Sequence, residues 1–590
     1  MRVKRLLAGA AAAAIAANAL AQERPESLLP PGFGQTPPPA PAPTPAETSA
    51  PSPARPTLSG TIQPLPALPP LVLPSPTPTP SPTPDAAALA LYEMPAFARR
   101  SLAQVGPIGE GEGGVTPDAF GRADGRYLEV LMRRLSAPLP SRWLSIALRR
   151  VLASRVDTPA GVNGADFAAE RAWLLLRMGE SVAARAVVQS VDVGNVTPKL
   201  AQVWMQASLA NADPAGLCTL AELPRVAASE RGWSMARAMC MGMTGERAQP
   251  LIQSLRRRRV ASGVDLQLAQ KVIGAGGASR QAITIEWDAV PQLTAWRFGL
   301  ATATGVTIPD DRYASVGPQV TGWRALAPAI PLADRAAAAE RATAMGVLSN
   351  AALVDLFAAS RELEEAPATL ARTANDLQDA YVGVDRATRM KAMAALWDGA
   401  DTPATRYARL ILTARAAGRL TVFDGVEQLD RLIASMLSAG LDRTAARWQG
   451  HVPDGGDAWA MLLLADPDRG GASFAGLDDY APTGANAARK KQLFFAAMAG
   501  LGRMAQDDVE AGAQSLDVRI GAANAWTRAL DRAAADGQTG TVLLLAAVGM
   551  QTEDWGGVPP AALYRIVGAM RAVGLTGEAR MIAVEALTRL

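Results

Sequence analysis

Residues 173–188, WLLLRMGESVAARAVV, decide the fold because they contain two apolar runs separated by a glycine and an acid. Gly179 stands where the first run stops, and glycine adopts the left-handed conformation that commonly ends a helix. Glu180 would lie in the first turn of the second helix, where a carboxylate complements the helix dipole. The stretch therefore predicts two antiparallel helices joined by a tight turn.

The same order of features occurs at three further places in the chain. In each, an apolar helix is predicted to stop at or near a glycine, an acid follows within two residues, and a second helix begins. The three stretches are residues 236–255 with Gly245 and Glu246, residues 433–448 with Gly440 and Asp442, and residues 571–587 with Gly577 and Glu578. Each is predicted to be a helical hairpin.

Paired antiparallel helices that turn on a glycine resemble tetratricopeptide-like helical repeats. The matching residues are Trp173, Gly179 and Ala183 or Ala184 in the first hairpin, with Gly577 and Ala579 in the last. The resemblance covers about a quarter of the chain. It implies an α-solenoid whose concave surface binds protein segments.

Helical spacing continues through the chain beyond Asp85, which is rich in alanine, leucine and arginine. Residues 541–550, TVLLLAAVGM, have the composition of a buried helix and are too short to cross a bilayer. Only residues 282–290, AITIEWDAV, suggest a strand. One buried helical face is predicted from Leu429, Leu432, Ile433, Met436 and Leu437. We predict an all-α fold, a solenoid-like array of antiparallel helical hairpins preceded by a disordered proline-rich arm.

The N-terminus matches a secretory signal peptide. Three basic residues precede an apolar run, and Ala19-Leu20-Ala21 forms a small-residue cleavage site, so the mature chain would start at Gln22. An uncleaved membrane anchor is the alternative, but the run is short and mostly alanine. We therefore predict a periplasmic or secreted protein.

Half of the 44 prolines lie between Arg24 and Asp85. Such a segment buries few side chains and offers few backbone donors, which predicts an extended, disordered arm. Its ordinary function would be that of a spacer. Residues 26–35 and 62–74 also carry aliphatic or aromatic side chains between prolines, so docking into a partner's groove is the alternative.

Cys218 and Cys240 are the only cysteines in the chain. Cys218 is predicted on a short helix that ends before Pro224, and Cys240 near the end of the next helix. In an oxidising compartment two cysteines usually pair, and their spacing is not that of a metal site or a C-x-x-C motif. We predict a structural disulfide, with a redox or partner-linking pair as the alternative.

Five segments are predicted along the chain. They are a signal peptide (1–21), a disordered proline-rich linker (22–85), an N-terminal helical half (86–275), an irregular connection (276–330) and a C-terminal helical half (331–590). The connection is expected to contain a helix around residues 293–303. Its tryptophans, Trp287, Trp296 and Trp323, are expected to be packing anchors, with a glycan or peptide groove as the alternative.

Net charge argues against nucleic-acid binding. The chain has 58 basic and 55 acidic residues, and removal of a signal peptide that carries three basic residues leaves a neutral protein. Nucleic-acid binders owe much of their affinity to phosphate neutralisation by an excess of positive charge. The basic run at residues 256–259 is expected to be a solvated helix C-terminus, although an anionic-lipid or polyanion patch is the alternative.

Three motifs are candidate chemical sites. His451, the single histidine, lies in a turn and is expected to be a surface or capping residue. Residues 109–114, GEGEGG, follow no strand and carry two acids that would repel a pyrophosphate, so a flexible loop is expected. Residues 466–479 have acids at calcium-loop positions 1 and 3 but Leu477 at position 12, which favours a loop between helices. We predict no catalytic, cofactor or metal-binding residue.

These observations predict an exported, non-catalytic helical-repeat scaffold that binds proteins or peptides in the cell envelope. One alternative is a peptidoglycan- or glycan-active hydrolase on a helical superhelix, as in the soluble lytic transglycosylase family, although no counterpart of that family's catalytic domain is found. The other is a structural spacer.

Overall fold

The computed structural model describes residues 95–223, 226, 231–245, 248–276, 283–468 and 474–590. The predicted signal peptide and proline-rich arm lie outside these residues. The helical body begins at Arg100.

Helices dominate this body, with 27 α-helices in the described residues. Those up to residue 326 are α1 (Gly125–Arg134), α2 (Arg142–Ala153), α3 (Gly164–Arg177), α4 (Ser181–Gln189), α5 (Pro198–Ala210), α6 (Cys218–Ala221), α7 (Arg231–Met243), α8 (Gln249–Arg257), α9 (Gly263–Gly276), α10 (Ala295–Ala303), α11 (Asp310–Tyr313) and α12 (Gln319–Leu326). The predicted all-α class is confirmed.

The remaining helices complete the body. They are α13 (Leu332–Met345), α14 (Asn350–Ala359), α15 (Ala368–Val382), α16 (Arg386–Asp398), α17 (Pro403–Gly418), α18 (Leu429–Ser438), α19 (Asp442–Ala446), α20 (Asp457–Ala465), α21 (Phe474–Asp478), α22 (Ala487–Gly500), α23 (Gln506–Ser515), α24 (Ala525–Ala535), α25 (Thr539–Gly549), α26 (Pro560–Ala572) and α27 (Thr576–Thr588). The apolar helix predicted at residues 541–550 is α25, and its residues 540–547 are buried.

One small sheet accompanies the helices. Strands β1 (Gln104–Val105) and β2 (Val156–Asp157) pair antiparallel, with Gln104 opposite Asp157. Neither strand lies in residues 282–290, where the sequence suggests one. The described part of that segment, residues 283–290, forms no strand. The alternating pattern there does not continue into a partner strand, so the backbone stays irregular.

The first predicted hairpin is confirmed as α3 and α4, which pack against each other. Gly179 has φ of 89°, the left-handed conformation that was expected. A β-carbon on Gly322 of α12 would lie 2.6 Å from the carbonyl oxygen of Gly179. The two glycines therefore permit a close backbone approach between this turn and α12.

Two further hairpins also turn on the expected glycines. Gly245 (φ 85°) follows α7 and precedes α8, and Gly440 (φ 75°) separates α18 from α19. Glu246 lies outside the described residues. The basic residues 256–259 are exposed at the end of α8, as expected for a solvated helix C-terminus.

The fourth hairpin turns on Gly574 and not on the predicted Gly577. Helix α26 ends before Gly574, which has φ of 84°, whereas Gly577 lies within the first turn of α27. Both glycines fall between apolar runs, and only the one with the left-handed backbone marks the turn. Glu578 is nevertheless in the first turn of α27, as predicted.

The predicted disulfide is confirmed. Cys218 begins α6, Cys240 lies near the end of α7, and their Cα atoms are 5.5 Å apart. Helices α6 and α7 pack against each other, which brings the two positions within reach.

The three tryptophans of the middle segment act as packing anchors. Their indole N–H groups donate to the carbonyl oxygens of different residues: Trp287 to Thr307, Trp296 to Asp265, and Trp323 to Leu176. Because each indole N–H is used by the protein itself, the three rings do not form a shared polar groove. The helix expected around residues 293–303 is α10.

Helices from both ends of the body meet at α2. Glu585 of α27 accepts hydrogen bonds from Ser141 Oγ (2.7 Å) and from the backbone N–H groups of Arg142 (2.8 Å) and Trp143 (3.2 Å). A carboxylate here satisfies the free N–H groups that begin a helix. In this way residues more than 440 positions apart in sequence complete one helix terminus.

Two arginines of α2 bind carbonyl oxygens at the C-terminal end of α13. The Arg142 guanidinium donates to the carbonyl oxygens of Thr343 and Leu348, and the Arg149 guanidinium donates to that of Gly346 (2.9 Å). We call this region, formed by the N-terminus of α2, Arg142, Arg149, Glu585 and the C-terminus of α13, the α2 junction. It satisfies backbone groups at two helix ends with buried or half-buried charged side chains.

Arginines cap other helix ends in the same manner. Arg171, fully buried, donates to the carbonyl oxygens of Ser154 (2.8 Å) and Val105 (2.7 Å), and Arg177 donates to that of Leu135 (2.6 Å). Burial lowers the pKa of Arg171 to about 9 and that of Arg177 to about 10, so both remain cations at neutral pH.

No helix in the described part of the chain is both long enough and apolar enough to span a membrane.

Candidate functional site

Two neighbouring cavities share Asp430, at the start of α18. One has a volume of about 420 Å³ and the other about 250 Å³. We call the first the His451 cavity, the second the Tyr407 cavity, and the pair the Asp430 cleft. The His451 cavity is lined by residues 423–427, 429, 430, 451–453, 456 and 458. The Tyr407 cavity is lined by residues 397, 403, 406, 407, 410, 430, 431, 434, 457, 461, 490 and 587–590.

The start of α20 is held against this cleft by two aspartates. Asp430 accepts a hydrogen bond from the backbone N–H of Ala458 (2.8 Å). Asp457, the first residue of α20, accepts from the Tyr480 hydroxyl (2.7 Å) and from Lys490 Nζ (2.5 Å). Burial and the bond to Asp457 both raise the pKa of Tyr480, so it stays a neutral donor. These contacts fix the wall between the two cavities.

The His451 cavity is acidic. Its lining includes Asp424, Glu427 and Asp430 together with His451, whose Nδ1 lies 2.5 Å from Asp424 Oδ1. Asp424 is almost fully exposed, and the imidazole is about two-thirds covered. His451 is thus a surface residue, as expected, but one that lines a cavity beside a carboxylate.

An aromatic wall supports the acidic side of the cleft. The Phe423 ring contacts the buried Trp448 ring at a centroid distance of 5.7 Å, and the Arg386 guanidinium stacks over Phe423 at 4.7 Å. Val426 and Leu429 add aliphatic surface to the same cavity. An apolar wall beside converging polar groups is the usual composition of a binding pocket.

The Tyr407 cavity is basic. Four cationic side chains line it, from Arg406, Arg431, Lys490 and Arg589, against the carboxylates of Asp430 and Asp457. Lys490 pairs with Asp457, Arg431 with Asp398, and Arg589 with Glu585. Arg406 is exposed, and its side chain forms no ion pair or hydrogen bond with any described residue.

Tyr407 is the buried polar group of this cavity. It is 3% exposed, Arg589 stacks over its ring at 4.8 Å, and no described residue bonds to its hydroxyl. Burial raises its pKa, so the phenol stays protonated and can donate a hydrogen bond. The hydroxyl is therefore available to a water molecule or a ligand in the cavity.

This arrangement is suited to binding. The cleft has an acidic side and a basic side joined at Asp430, with aromatic and aliphatic walls on both. His451 and Asp424 resemble the base and orienting carboxylate of a hydrolytic triad, but the described lining of that cavity contains no serine, threonine or cysteine to act as nucleophile.

Of the residues that line this cleft, the sequence marks only His451 as a candidate chemical site, and it places Leu429 on a buried helical face. Asp424, Asp430, Arg406 and Tyr407 were missed because α17, α18 and α20 bring them together only in the folded chain. Isolated acids and arginines are common in this sequence, so none carried a local signal.

The other candidate motifs form loops or short turns. Residues 109–114 contain one 3-10 turn, Glu110–Glu112, whose Glu112 carboxylate accepts from Gly109 N–H (2.7 Å). In the calcium-loop-like stretch at residues 466–479, residues 469–473 lie outside the described residues, and Leu477 is buried on α21. Within the described chain no group of three or more acids, histidines or cysteines is placed to hold a metal ion.

Comparison with known proteins gives no relative: no protein-family model, curated protein or solved structure matches this chain.

Proposed function

We propose that this protein is an exported, non-catalytic helical scaffold that binds protein or peptide segments in the cell envelope. Export is supported by the signal-peptide pattern at residues 1–21 and by the Cys218–Cys240 disulfide, since such bonds persist in oxidising compartments.

The Asp430 cleft carries the binding part of the proposal. Opposite charges on its two sides would fix the direction of a bound chain, and the apolar walls would supply contact area. Arg406 and the Tyr407 hydroxyl are free to donate to a ligand's carbonyl or carboxylate oxygens. Asp424 and Glu427 would accept from its N–H or cationic groups.

A stacked array of helical hairpins is the architecture that we propose for the body. Successive contacts of α3 with α4, α4 with α5, and α5 with α10 support stacking. The contacts of α27 and α25 with α2 would join the two ends of such an array. In an open solenoid, by contrast, each repeat contacts only its neighbours.

Photo-crosslinking in intact cells tests the proposal. A photoreactive amino acid replaces Glu427, which is exposed within the cleft, and in a matched control it replaces Glu510, which is exposed on α23. Mass spectrometry should identify a discrete, recurring protein adduct from position 427 and not from position 510. Adducts of wall fragments alone, or identical patterns from both positions, would contradict a protein-binding cleft.

The hydrolase alternative requires one carboxyl group that donates a proton and a second that faces it. In the Asp430 cleft, Asp457 is bonded through both oxygens, and Asp430 is engaged by the N-terminus of α20. Both carboxyl groups are thus engaged by other groups of the protein, which favours binding over glycoside hydrolysis.

A further inference from the structure

A separate cavity lies among α13, α14, α15, α16 and α17, with a volume of about 380 Å³. One wall is formed by three alanines of α13: Ala333, Ala336 and Ala337. Leu370 and Leu396 add apolar surface from α15 and α16. We call this cavity the Glu340 cleft, after the acid on α13 that lines it.

A buried ion pair faces the Glu340 cleft. Glu340 and Arg409 are 8% and 9% exposed and pair with each other. Arg409 also donates to Thr373 Oγ1 (3.1 Å) and stacks over Phe357 at 5.4 Å, so its guanidinium contacts three groups of the protein. Glu340 contacts Arg409 through Oε1, and no described residue donates a hydrogen bond to its Oε2 atom.

Two further carboxylates line the cavity with no hydrogen-bond donor among the described residues, Asp376 and Asp401. Burial raises the pKa of Asp376, and the neighbouring Asp379 raises it further, whereas Arg372 and Arg409 act in the opposite direction. Burial likewise raises the pKa of Glu340. The ionised carboxylates are therefore incompletely compensated, and an added cation would stabilise them.

We propose that the Glu340 cleft binds a cationic group on an apolar stem, such as the ammonium or guanidinium group of a lysine or arginine side chain. Glu340 Oε2, Asp376 and Asp401 would accept its hydrogen bonds, and the alanine wall would contact the stem. Arg409 pairs with Glu340, and Arg372 also lines the cavity, so three carboxylates face two guanidinium groups there. This inference does not depend on what occupies the Asp430 cleft.

Binding of small probes tests the proposal on the full chain. The probes are Nα-acetyl-lysine amide, Nα-acetyl-arginine amide and the uncharged Nα-acetyl-norleucine amide, titrated with saturation-transfer NMR. At least one cationic probe should bind saturably, and the norleucine amide should not. Asp376→Asn should raise the dissociation constant of the cation about tenfold, since a charge-assisted hydrogen bond is lost.

Asp379→Asn is the matched control, because it removes the same charge from the same helix at a position that does not line the cavity. It should change the dissociation constant less than twofold. Ala337→Leu, at an exposed lining position, should fill the cavity and abolish binding without disturbing the core. The thermal midpoint of each variant verifies that it is folded.

Three results would overturn the proposal: no saturable binding of either cation, equal weakening by the two aspartate variants, or full binding by Ala337→Leu. Equal weakening would mean that the overall negative charge of α15 attracts the cation, without a specific contact to Asp376 in the cavity. Glu427→Gln in the Asp430 cleft should leave probe binding unchanged, which separates this site from the proposed peptide site.

Discussion

The α2 junction and the Asp430 cleft are built from the same kinds of side chains and differ in what those side chains contact. In the junction, Arg142, Arg149 and Glu585 are bonded to backbone groups at helix ends. In the cleft, Arg406 and the Tyr407 hydroxyl face a cavity without a partner among the described residues. Charge composition alone therefore does not distinguish a structural arginine from one available to a ligand.

Only six of the 58 basic residues are lysine. A planar guanidinium can bond two carbonyl oxygens at once, which an ammonium group does with less geometric definition. Arg171 uses this property, because one terminal nitrogen donates to Ser154 after α2 and the other donates to Val105 of β1. Part of the arginine excess is thus explained by packing rather than by ligand binding.

Glu585→Ala should have the largest effect on stability. It leaves Ser141 Oγ and the N–H groups of Arg142 and Trp143 without their acceptor in a buried site, and we expect a loss of about 3 to 5 kcal/mol. Chemical denaturation measures it. The control is Glu578→Ala on the same helix, whose partner Arg150 is exposed, and about 1 kcal/mol or less is expected. Equal losses of stability in the two variants would mean that Glu585 in the α2 junction contributes no more than the surface residue Glu578.

Loss of the disulfide should cost about 3 kcal/mol, since it closes a loop between Cys218 and Cys240. The Cys218→Ala/Cys240→Ala double variant, compared with the oxidised protein by denaturation, gives the value. The loss of unfolding free energy in this variant can then be compared with the loss caused by Glu585→Ala in the α2 junction, which contains no covalent cross-link. A negligible change would mean that α6 and α7 are held by packing alone.

Glu180 should make the stability of the junction depend on pH. It pairs with Arg149 at 2.8 Å, and burial raises its pKa to about 7 from the ordinary 4.5. The folded protein therefore keeps a proton that the unfolded chain releases. The contribution is fully present below pH 4.5 and is lost as the pH rises through 7.

Glu180→Gln removes this titration. The stability of the wild-type protein relative to the variant should fall by about 2 kcal/mol between pH 4.5 and 7. Denaturation curves for both proteins across that range provide the measurement. A constant difference would show that Arg149 compensates the buried charge completely.

Arg406→Gln should have the smallest effect on stability, about 0.5 kcal/mol or less, because Arg406 is exposed and has no protein partner. In cells, however, it should weaken the adduct formed from the photoreactive residue at position 427. A large loss of stability with an unchanged adduct would mean that Arg406 of the Asp430 cleft stabilises the fold, as the arginines of the α2 junction do, and does not bind a ligand.

Sequence periodicity predicted the helical class and three of the four turns, because left-handed glycines and apolar spacing are local signals. The disulfide also followed from local information, since Cys218 and Cys240 lie on neighbouring helices. Gly577 was chosen over Gly574 because the sequence does not reveal which glycine has positive φ.

The cleft and the junction could not be predicted in the same way. Asp430 meets Ala458 and Tyr407 meets Arg589 only after helices distant in sequence have packed. Nothing in the sequence around Glu585 indicates that its carboxylate accepts a hydrogen bond from Ser141. The geometry of both regions is therefore set by tertiary contacts, for which a single sequence offers no periodic signature.

The bond between Ser141 and Glu585 also has a consequence for the order of folding. A ribosome releases the N-terminal end of a chain first, so α2 leaves it long before α27 exists. Until residue 585 has emerged, the first turn of α2 lacks the acceptor that it has in the finished protein. Contacts over such separations slow folding, so the body cannot reach its final packing while its last helix is still being synthesised.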